Sequence, residues 1–155
     1  MPAAATARGF TLIELLVVLA LMALAAGALP MAFARLHEGA QYRASVRAAL
    51  DAMRGARLRA MSSGAEVRFI VDLQGRRFGA EGAGSYTLPE PLEMHAVMAA
   101  QEQGTNGQEA FMAVRFLPQG GASGGSLDIL RPSGNGVRLR VDWFSARVQQ
   151  EALQP

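Results

Sequence analysis

Cysteine is absent from the chain, and so are the residue patterns that mark a metal centre or a catalytic site. Without cysteine there is no disulfide, no cysteine-ligated zinc and no cysteine nucleophile. The two histidines, His37 and His95, are far apart in sequence, and neither has the spacing of a metal ligand. Ser123 and Ser126 lie in a glycine-rich stretch that is neither a nucleophile elbow nor a phosphate-binding loop. We therefore expect no enzymatic activity, no cofactor and no metal.

Lysine is also absent, so the 15 basic residues are all arginine, against 13 acidic residues. The formal net charge is only +2. A domain dedicated to nucleic acid usually carries a clustered basic excess. The balance of charge therefore indicates no particular partner.

The one long hydrophobic run lies near the N-terminus. Residues 15–34 contain no charged side chain, and as a helix these 20 residues would be about 30 Å long, enough to span a bilayer. A cleaved secretory signal has its small-residue cleavage site after the apolar stretch. Here Gly9 and Glu14 come before the stretch. We therefore interpret the run as a retained membrane anchor.

A specific motif surrounds the start of this run. Its residues are Arg8, Gly9, Phe10, Thr11, Leu12, Ile13, Glu14, Leu15, Leu16, Val17, Val18 and Leu19. The stretch resembles the prepilin signature of type IV pilins and type II secretion pseudopilins. The resemblance implies that a prepilin peptidase cleaves between Gly9 and Phe10 and then N-methylates Phe10, so that residues 1–9 are a leader. Glycine has no side chain to exclude from a narrow protease cleft, although a chance linker glycine is the alternative.

Glu14 and Pro30 are the candidate assembly residues of this segment. A charge at the mouth of an apolar helix costs several kcal/mol unless it is paired. The resemblance implies that Glu14 pairs with the α-amino group of a neighbouring subunit; a glutamate that snorkels to the interface is the alternative. Pro30 removes a backbone hydrogen bond and clashes with an earlier carbonyl, so we expect a kink or local unwinding near residues 26–30. The resemblance to pilin-like subunits implies that the helix loosens at this proline as the filament forms; a membrane-helix proline without this role is the alternative.

The remainder of the chain predicts a helix and then strands. Apolar residues at spacings of three and four extend the helix, namely Tyr42, Val46, Ala49, Leu50, Met53, Ala56 and Ala60. Ser62, Ser63 and Gly64 should end it. Period-two alternation or turn-bounded apolar runs then predict strands at residues 66–72, 77–78, 85–88, 92–97, 112–117, 127–130 and 137–144. Residues 101–108 contain no apolar side chain and are expected to form an exposed, mobile loop.

These patterns divide the chain into four parts. Residues 1–9 are the leader, 10–34 the transmembrane and assembly helix, 35–63 its amphipathic continuation, and 64–155 a β-rich periplasmic domain. The expected fold class is α+β and pilin-like. A long N-terminal α-helix, membrane-spanning in its first half, would be packed on a C-terminal antiparallel β domain.

Residues near the C-terminus carry a second resemblance, which points to one family among the pilin-like proteins. The stretch from Phe116 through Pro118 and the glycine-rich residues 120–125, with the strand ending at Asp142, is similar to the domain shared by minor pseudopilin H of type II secretion (GspH) and the FimT-like pilins. The family often ends this strand with a glycine-arginine pair. Here Ala146 and Arg147 supply only the arginine, so the sequence leaves the tight turn at this point unsupported.

The resemblance implies a minor pseudopilin that assembles through its N-terminal helix into a periplasmic pseudopilus, which drives export of folded proteins. Its partners would be other minor and major pseudopilins, the prepilin peptidase, the inner-membrane assembly platform and inner-membrane lipid. The chain would cross the inner membrane once, with its C-terminal domain in the periplasm. The alternative is a FimT-like minor pilin of a type IV pilus that binds DNA through Arg138, Arg140 and Arg147, and only then is nucleic acid a partner.

Overall fold

A computed structural model describes the backbone of residues 10–98, 103–106 and 109–155, and the side-chain surroundings of residues 10–26, 37–98 and 111–155. The chain divides into two units, the first ending at Glu38 and the second comprising Gly39–Pro155. One long helix, α1, extends from Leu12 to Ser63 and is followed, in the described residues, by nine strands in two antiparallel sheets. The predicted class, α+β with an N-terminal helix and an antiparallel β domain, is confirmed.

The strands form two sheets, and both sheets belong to the second unit. In chain order they are β1 (Val67–Asp72), β2 (Arg77–Ala80), β3 (Ser85–Thr87), β4 (Glu93–Met98), β5 (Gln103–Asn106), β6 (Glu109–Phe116), β7 (Gly125–Leu130), β8 (Gly136–Val141) and β9 (Val148–Leu153). The five-stranded sheet has the order β3-β2-β1-β6-β5, and the four-stranded sheet has the order β4-β7-β8-β9. β7 and β8 form an antiparallel hairpin around Pro132 and pair from Gly125↔Val141 to Leu130↔Gly136.

The end of α1 agrees with the sequence-based expectation. Ser63 is the last helical residue, and Gly64 follows with a φ of 68°. The Gly64 N–H donates to the carbonyl of Ala60 at 3.1 Å, and the Ser63 hydroxyl donates to the carbonyl of Arg59 at 2.7 Å. Glycine adopts this left-handed conformation without steric cost, so it terminates the helix while the last carbonyls keep their donors.

The predicted apolar stripe of α1 is buried within the second unit. Ala49, Met53, Ala56 and Ala60 have no exposed surface. They share one hydrophobic core with the inner faces of both sheets, including Phe69, Val71, Phe78, Val114, Phe116, Leu127, Ile129, Leu139 and Val141. Alanine side chains allow a close approach between helix and sheet, while the flexible side chain of Met53 fills the remaining space.

Two polar contacts near the start of the second unit were not expected from the sequence. Ser45 is fully buried on the stripe, donates to the Gln41 carbonyl at 2.9 Å and lies 3.2 Å from the hydroxyl of Tyr86. The Arg131 guanidinium lies 4.1 Å from the ring centroid of Tyr42, and burial raises the pKa of the Tyr42 phenol. Such cation–π contacts fix the side chains that make them.

The backbone at Gly27 and Pro30 is helical, because α1 is one element from Leu12 to Ser63. The helix is therefore continuous through residues 26–30 without local unwinding, while the other form of the expectation, a kink, stays a prediction. One missing proline donor is tolerated where the helix on both sides keeps its own hydrogen bonds. In the part of the chain that the structure describes, no helix combines the length and apolarity needed to cross a membrane.

The loop predicted at residues 101–108 is in part a strand. Gln103–Asn106 forms β5 and pairs with β6, from Gln103↔Met112 to Asn106↔Glu109. The prediction of a mobile loop is wrong for these four residues, and residues 101, 102, 107 and 108 lie outside the described part. Pairing through backbone groups needs no apolar side chain, so this strand leaves no hydrophobic alternation in the sequence.

The last predicted strand is shorter than expected, and another strand follows it. β8 ends at Val141, so Trp143 and Phe144 lie in a turn and are exposed rather than continuing the buried alternation. The chain then returns as β9, which pairs with β8 from Val141↔Val148 to Gly136↔Leu153. β9 escaped prediction because its sequence, with two glutamines and a glutamate, does not alternate regularly.

The turn between β8 and β9 is tight although it contains no glycine. The Ala146 N–H donates to the Asp142 carbonyl at 2.9 Å, and Ala146 has a φ of 52°. One carboxylate oxygen of Asp142, Oδ1, accepts from both the N–H and the hydroxyl of Ser145, each at 2.7 Å. These bonds lower the pKa of Asp142, the backbone donor of Ser145 contributing most. Local hydrogen bonds thus hold the left-handed residue that a glycine would adopt freely.

Candidate assembly site

The motif at the N-terminus places a helix start directly after the expected cleavage point. Thr11 precedes the first helical residue, Leu12. The Glu14 N–H donates to Thr11 Oγ1 at 3.3 Å, and the Leu15 N–H donates to the Thr11 carbonyl at 3.2 Å. Thr11 is therefore the N-cap of α1, and the order Thr-x-x-Glu is that of a capping box. Phe10 lies one residue before the cap and is exposed.

Thr11 is the residue of this site that the sequence analysis does not single out, although its spacing to Glu14 is a recognised signal for a helix N-terminus. The cap fixes where α1 begins. After cleavage at the expected point, the new terminus at Phe10 would precede the cap by one residue.

Glu14 is exposed in the first turn of α1. A carboxylate there interacts favourably with the positive end of the helix dipole. Among the described residues, Glu14 forms no ion pair with any arginine. Its carboxylate can therefore accept a cationic donor from outside this part of the chain, such as an amino group.

The first part of α1 is apolar and uncovered. Every residue from 10 to 26 is exposed, and only Thr11 and Glu14 among them are polar. Large apolar side chains on all sides of the helix, including Leu12, Ile13 and Leu16, are in this state. A helix that is apolar all round is stable when something covers it, either lipid or other protein.

Two of the predicted site residues are Gly9 and Pro30. Gly9 lies outside the residues that the structure describes. The backbone of Pro30 belongs to α1, while its side chain is outside the described part. The roles of these two residues stay predictions.

The arginines of the DNA-binding alternative are largely engaged with carboxylates. Arg138 donates through Nε and Nη2 to the two carboxylate oxygens of Asp128, at 2.8 and 2.7 Å, which raises the pKa of Arg138. Arg140 Nη1 lies 3.5 Å from Glu151 Oε1. Arg147 is exposed and directly precedes β9, where its carbonyl accepts from the Asp142 N–H at 3.0 Å. The alternation of β8 places Arg138 and Arg140 on one face of that strand.

The histidines and acidic residues do not assemble into a metal centre in the described part of the chain. Both His37 and His95 are exposed. No group of three or more histidine, aspartate or glutamate side chains there could hold a metal ion.

Comparison with known proteins yields three matches. Residues 5–30 match the prokaryotic N-terminal methylation motif. The type II secretion system protein H of Xanthomonas campestris pv. campestris is 32% identical over 149 residues, which are 95% of this chain and 85% of that protein. The minor pseudopilin EpsH from the type 2 secretion system of Vibrio cholerae is similar in structure, with a TM-score of 0.55 and 15% identity over 72% of this chain and 97% of EpsH. The structural likeness bears on the fold alone.

Proposed function

The chain belongs to the protein H family, the minor pseudopilins H of the type II secretion system, and from that premise we propose that it is built into a periplasmic pseudopilus through residues 10–34. It is a structural subunit and not an enzyme. The family decides between the two functions that the sequence left open, in favour of secretion over a DNA-binding pilus. It also implies filament partners, processing by a prepilin peptidase, and anchoring in the inner membrane through the N-terminal helix.

One observation carries the proposal: the first part of α1, residues 12–26, is apolar except for Glu14, and every side chain in it is exposed. Each large apolar side chain left in water forgoes roughly 1.5–3 kcal/mol of burial free energy. Membrane lipid would cover this surface before assembly, and the helices of neighbouring pseudopilins, major and minor, would cover it afterwards. Export of folded proteins would follow from growth of the filament on the inner-membrane assembly platform.

The proposed processing and the proposed assembly both involve residues at the capped start of α1. Cleavage after Gly9 would leave a free, N-methylated amino group at Phe10. Among the described residues Glu14 has no cation of its own, so it would accept the amino group of a neighbouring subunit. Pairing removes most of the cost of a lone charge in an apolar surrounding, and it fixes the stagger of one helix against the next.

The proposal predicts that the charge of Glu14 is needed for assembly and not for folding or cleavage. Glu14→Gln keeps a side chain that can complete the capping box, so it removes the charge while the helix start is preserved. We expect processing to be normal and incorporation into sheared filaments to fall about tenfold or more, which corresponds to about 1.4 kcal/mol. The measurement is the ratio of subunit in the filament fraction to subunit in the membrane.

Glu38→Gln is the matched control, because Glu38 is a second glutamate of α1 in the same unit. It should assemble like the unchanged chain. Equal incorporation of both variants would exclude the pairing role of Glu14.

A further inference from the structure

The four-stranded sheet ends in an open edge at β9. This strand pairs with β8 on one side, and no strand among the described residues pairs with its other side. Its six residues include Gln149, Gln150 and Ala152, which are exposed. An open edge presents unpaired backbone N–H and C=O groups, which form a template for another strand. β9 is therefore a surface that can accept a further strand.

The strand register shows which backbone groups of β9 point outward. The Asp142 N–H donates to the Arg147 carbonyl at 3.0 Å, so these two residues form a hydrogen-bonded pair. Hydrogen-bonded and non-hydrogen-bonded pairs alternate along an antiparallel ladder. The β9 residues in non-hydrogen-bonded positions opposite β8 are therefore Val148, Gln150 and Ala152. Their N–H and C=O groups point away from β8, towards the open edge.

The other edges of the two sheets are shorter or lie against a neighbouring strand. β3 has three residues and β5 has four. β4 lies beside β6 of the other sheet. Natural edge strands are often protected by lysine, proline or a bulge. β9 contains neither lysine nor proline, and its register with β8 is continuous from Val148 to Leu153. It is therefore an edge of full length without these forms of protection.

The sequence of β9 is complementary to itself. When two copies are aligned antiparallel about Gln150, that residue lies opposite its own counterpart, and Val148 lies opposite Ala152 of the second copy. These are the residues with outward backbone groups, so each such pair can exchange two hydrogen bonds. Between them, Gln149 lies opposite Glu151 of the second copy, where an amide can donate to a carboxylate. No two carboxylates face each other in this register.

A slide of the pairing by two residues in either direction is less favourable. In one direction it places Glu151 opposite Glu151 of the second copy, and like charges directly opposite are destabilising. In the other direction Ala152 loses its partner, because the residue opposite it would be Ala146, which lies in the turn before β9. Charge and hydrogen bonding thus favour the register centred on Gln150.

We propose that β9 is an edge-to-edge interface at which a second copy of this chain adds to the four-stranded sheet. The two sheets would join into one across a two-fold axis at Gln150, which is the isologous arrangement of a two-fold dimer. Backbone hydrogen bonds would carry the contact, so the association is weak and depends on concentration. The edge belongs to the second unit, and the proposal therefore does not depend on cleavage or on assembly through residues 10–34.

The absence of cysteine provides a direct test, because one introduced cysteine is the sole thiol of the chain. Gln150→Cys and the control Gln149→Cys change neighbouring, exposed glutamines of β9. In the proposed register the two Cα atoms at position 150 are about 5.5 Å apart, within disulfide reach, while those at position 149 are diagonal neighbours about 7–8 Å apart.

The full chain is oxidised mildly in detergent, with micelles in excess over chains, and the disulfide-linked dimer is followed by non-reducing electrophoresis. We expect the dimer to form about tenfold faster with Gln150→Cys than with Gln149→Cys, because only the first pair of thiols meets in the proposed register. Contacts through the N-terminal helix are the same in both variants, so they do not produce this difference.

A second pair of variants tests the outward donor of Gln150 without a new covalent bond. Gln150→Pro removes an N–H that does not pair with β8, so β9 should stay in its sheet, whereas Gln150→Ala keeps that N–H. We expect Gln150→Ala to self-associate like the unchanged chain, and Gln150→Pro to raise the dissociation constant about tenfold or more. Sedimentation equilibrium in density-matched detergent measures both, and urea denaturation checks that each variant is folded.

Three results would overturn the proposal. The first is a dimer that forms no faster at position 150 than at position 149. The second is equal self-association of Gln150→Pro and Gln150→Ala, or a full chain that stays monomeric at the highest concentration reached. The third is a disulfide, in membranes of the host, that joins position 150 only to a different protein. In each case the assembly proposal is untouched, because these measurements involve neither cleavage nor filament formation.

Discussion

Two parts of α1 carry apolar surfaces in opposite environments. Residues 10–26 are almost wholly apolar and every one is exposed, whereas the stripe from Ala49 to Ala60 is fully buried against two sheets. The second region is covered by its own chain, and the first is not covered by any described residue of the chain. Apolarity in the first region thus serves contacts outside the chain, while in the second it serves folding.

Two methionines of α1 test whether its buried and exposed parts contribute differently to the free energy of unfolding. Met53 has no exposed surface, and Met22 is 64% exposed. Met53→Ala should lower the free energy of unfolding by about 2–5 kcal/mol, because it leaves a cavity in the core. Met22→Ala should change it by less than about 0.5 kcal/mol. Urea denaturation in mild detergent, followed by far-ultraviolet circular dichroism, measures both; equal losses would mean that residues 10–26 belong to the same folding unit.

The turn after β8 gives a smaller effect. Ala146 is fully buried at a φ of 52°, where a β-branched side chain is strongly disfavoured. Ala146→Val should therefore cost about 2 kcal/mol of unfolding free energy, from left-handed strain and crowding together. Ala146→Gly should be nearly neutral, because relief of strain is offset by loss of a buried methyl group, about 0.8 kcal/mol. Equal stability of the valine variant in the same denaturation assay would mean that the turn relaxes.

The smallest predicted effect is a dependence of stability on acid pH. Hydrogen bonds from Ser145 hold the pKa of Asp142 below its ordinary value, a turn bond from Gly75 does the same for Asp72, and Arg68 does so for Glu81. A carboxyl group with a lowered folded-state pKa stabilises the fold above its unfolded-state pKa, and this contribution is lost as the pH falls through the folded-state value. Stability should therefore be level above about pH 5 and fall below about pH 4.

Asp142→Asn should flatten part of this pH profile, because an amide oxygen still accepts from Ser145 but does not titrate. Asp51→Asn, an exposed change on α1, serves as the control. The measurement is the urea midpoint between pH 3 and pH 6. Identical profiles for the Asp142 variant and the control would show that the turn contributes nothing to the acid transition.

Periodicity in the sequence predicted the elements that bury apolar side chains. The stripe that includes Met53 and the alternation of β1 both reflect one-sided burial, which leaves its period in the sequence. β5 and β9 are held by backbone pairing with a neighbour and carry no such period, so they were missed. β8 ends at Val141, where Asp142 accepts hydrogen bonds from Ser145. The alternation of apolar residues in the sequence does not predict these hydrogen bonds.

The sequence predicted those features whose residues are close together in the chain, and it did not predict those whose residues are brought together by strand pairing. The prepilin motif and the capping spacing of Thr11 and Glu14 lie within a few residues of each other. The open edge of β9 is defined by its pairing with β8, so it requires the strand register. The strand predicted at residues 137–144 included Trp143, whereas β8 ends at Val141 and Trp143 lies in the turn that follows.

The most direct test of the central claim is the intact mass and N-terminal sequence of the protein extracted from the membranes of its own host. We predict a chain that begins at N-methylated Phe10, and a Gly9→Leu variant that keeps residues 1–9 while an Ala7→Leu control is processed normally. A chain that still begins at Met1, or one cut after the apolar run, would contradict the account that α1 begins as a processed, assembly-competent helix.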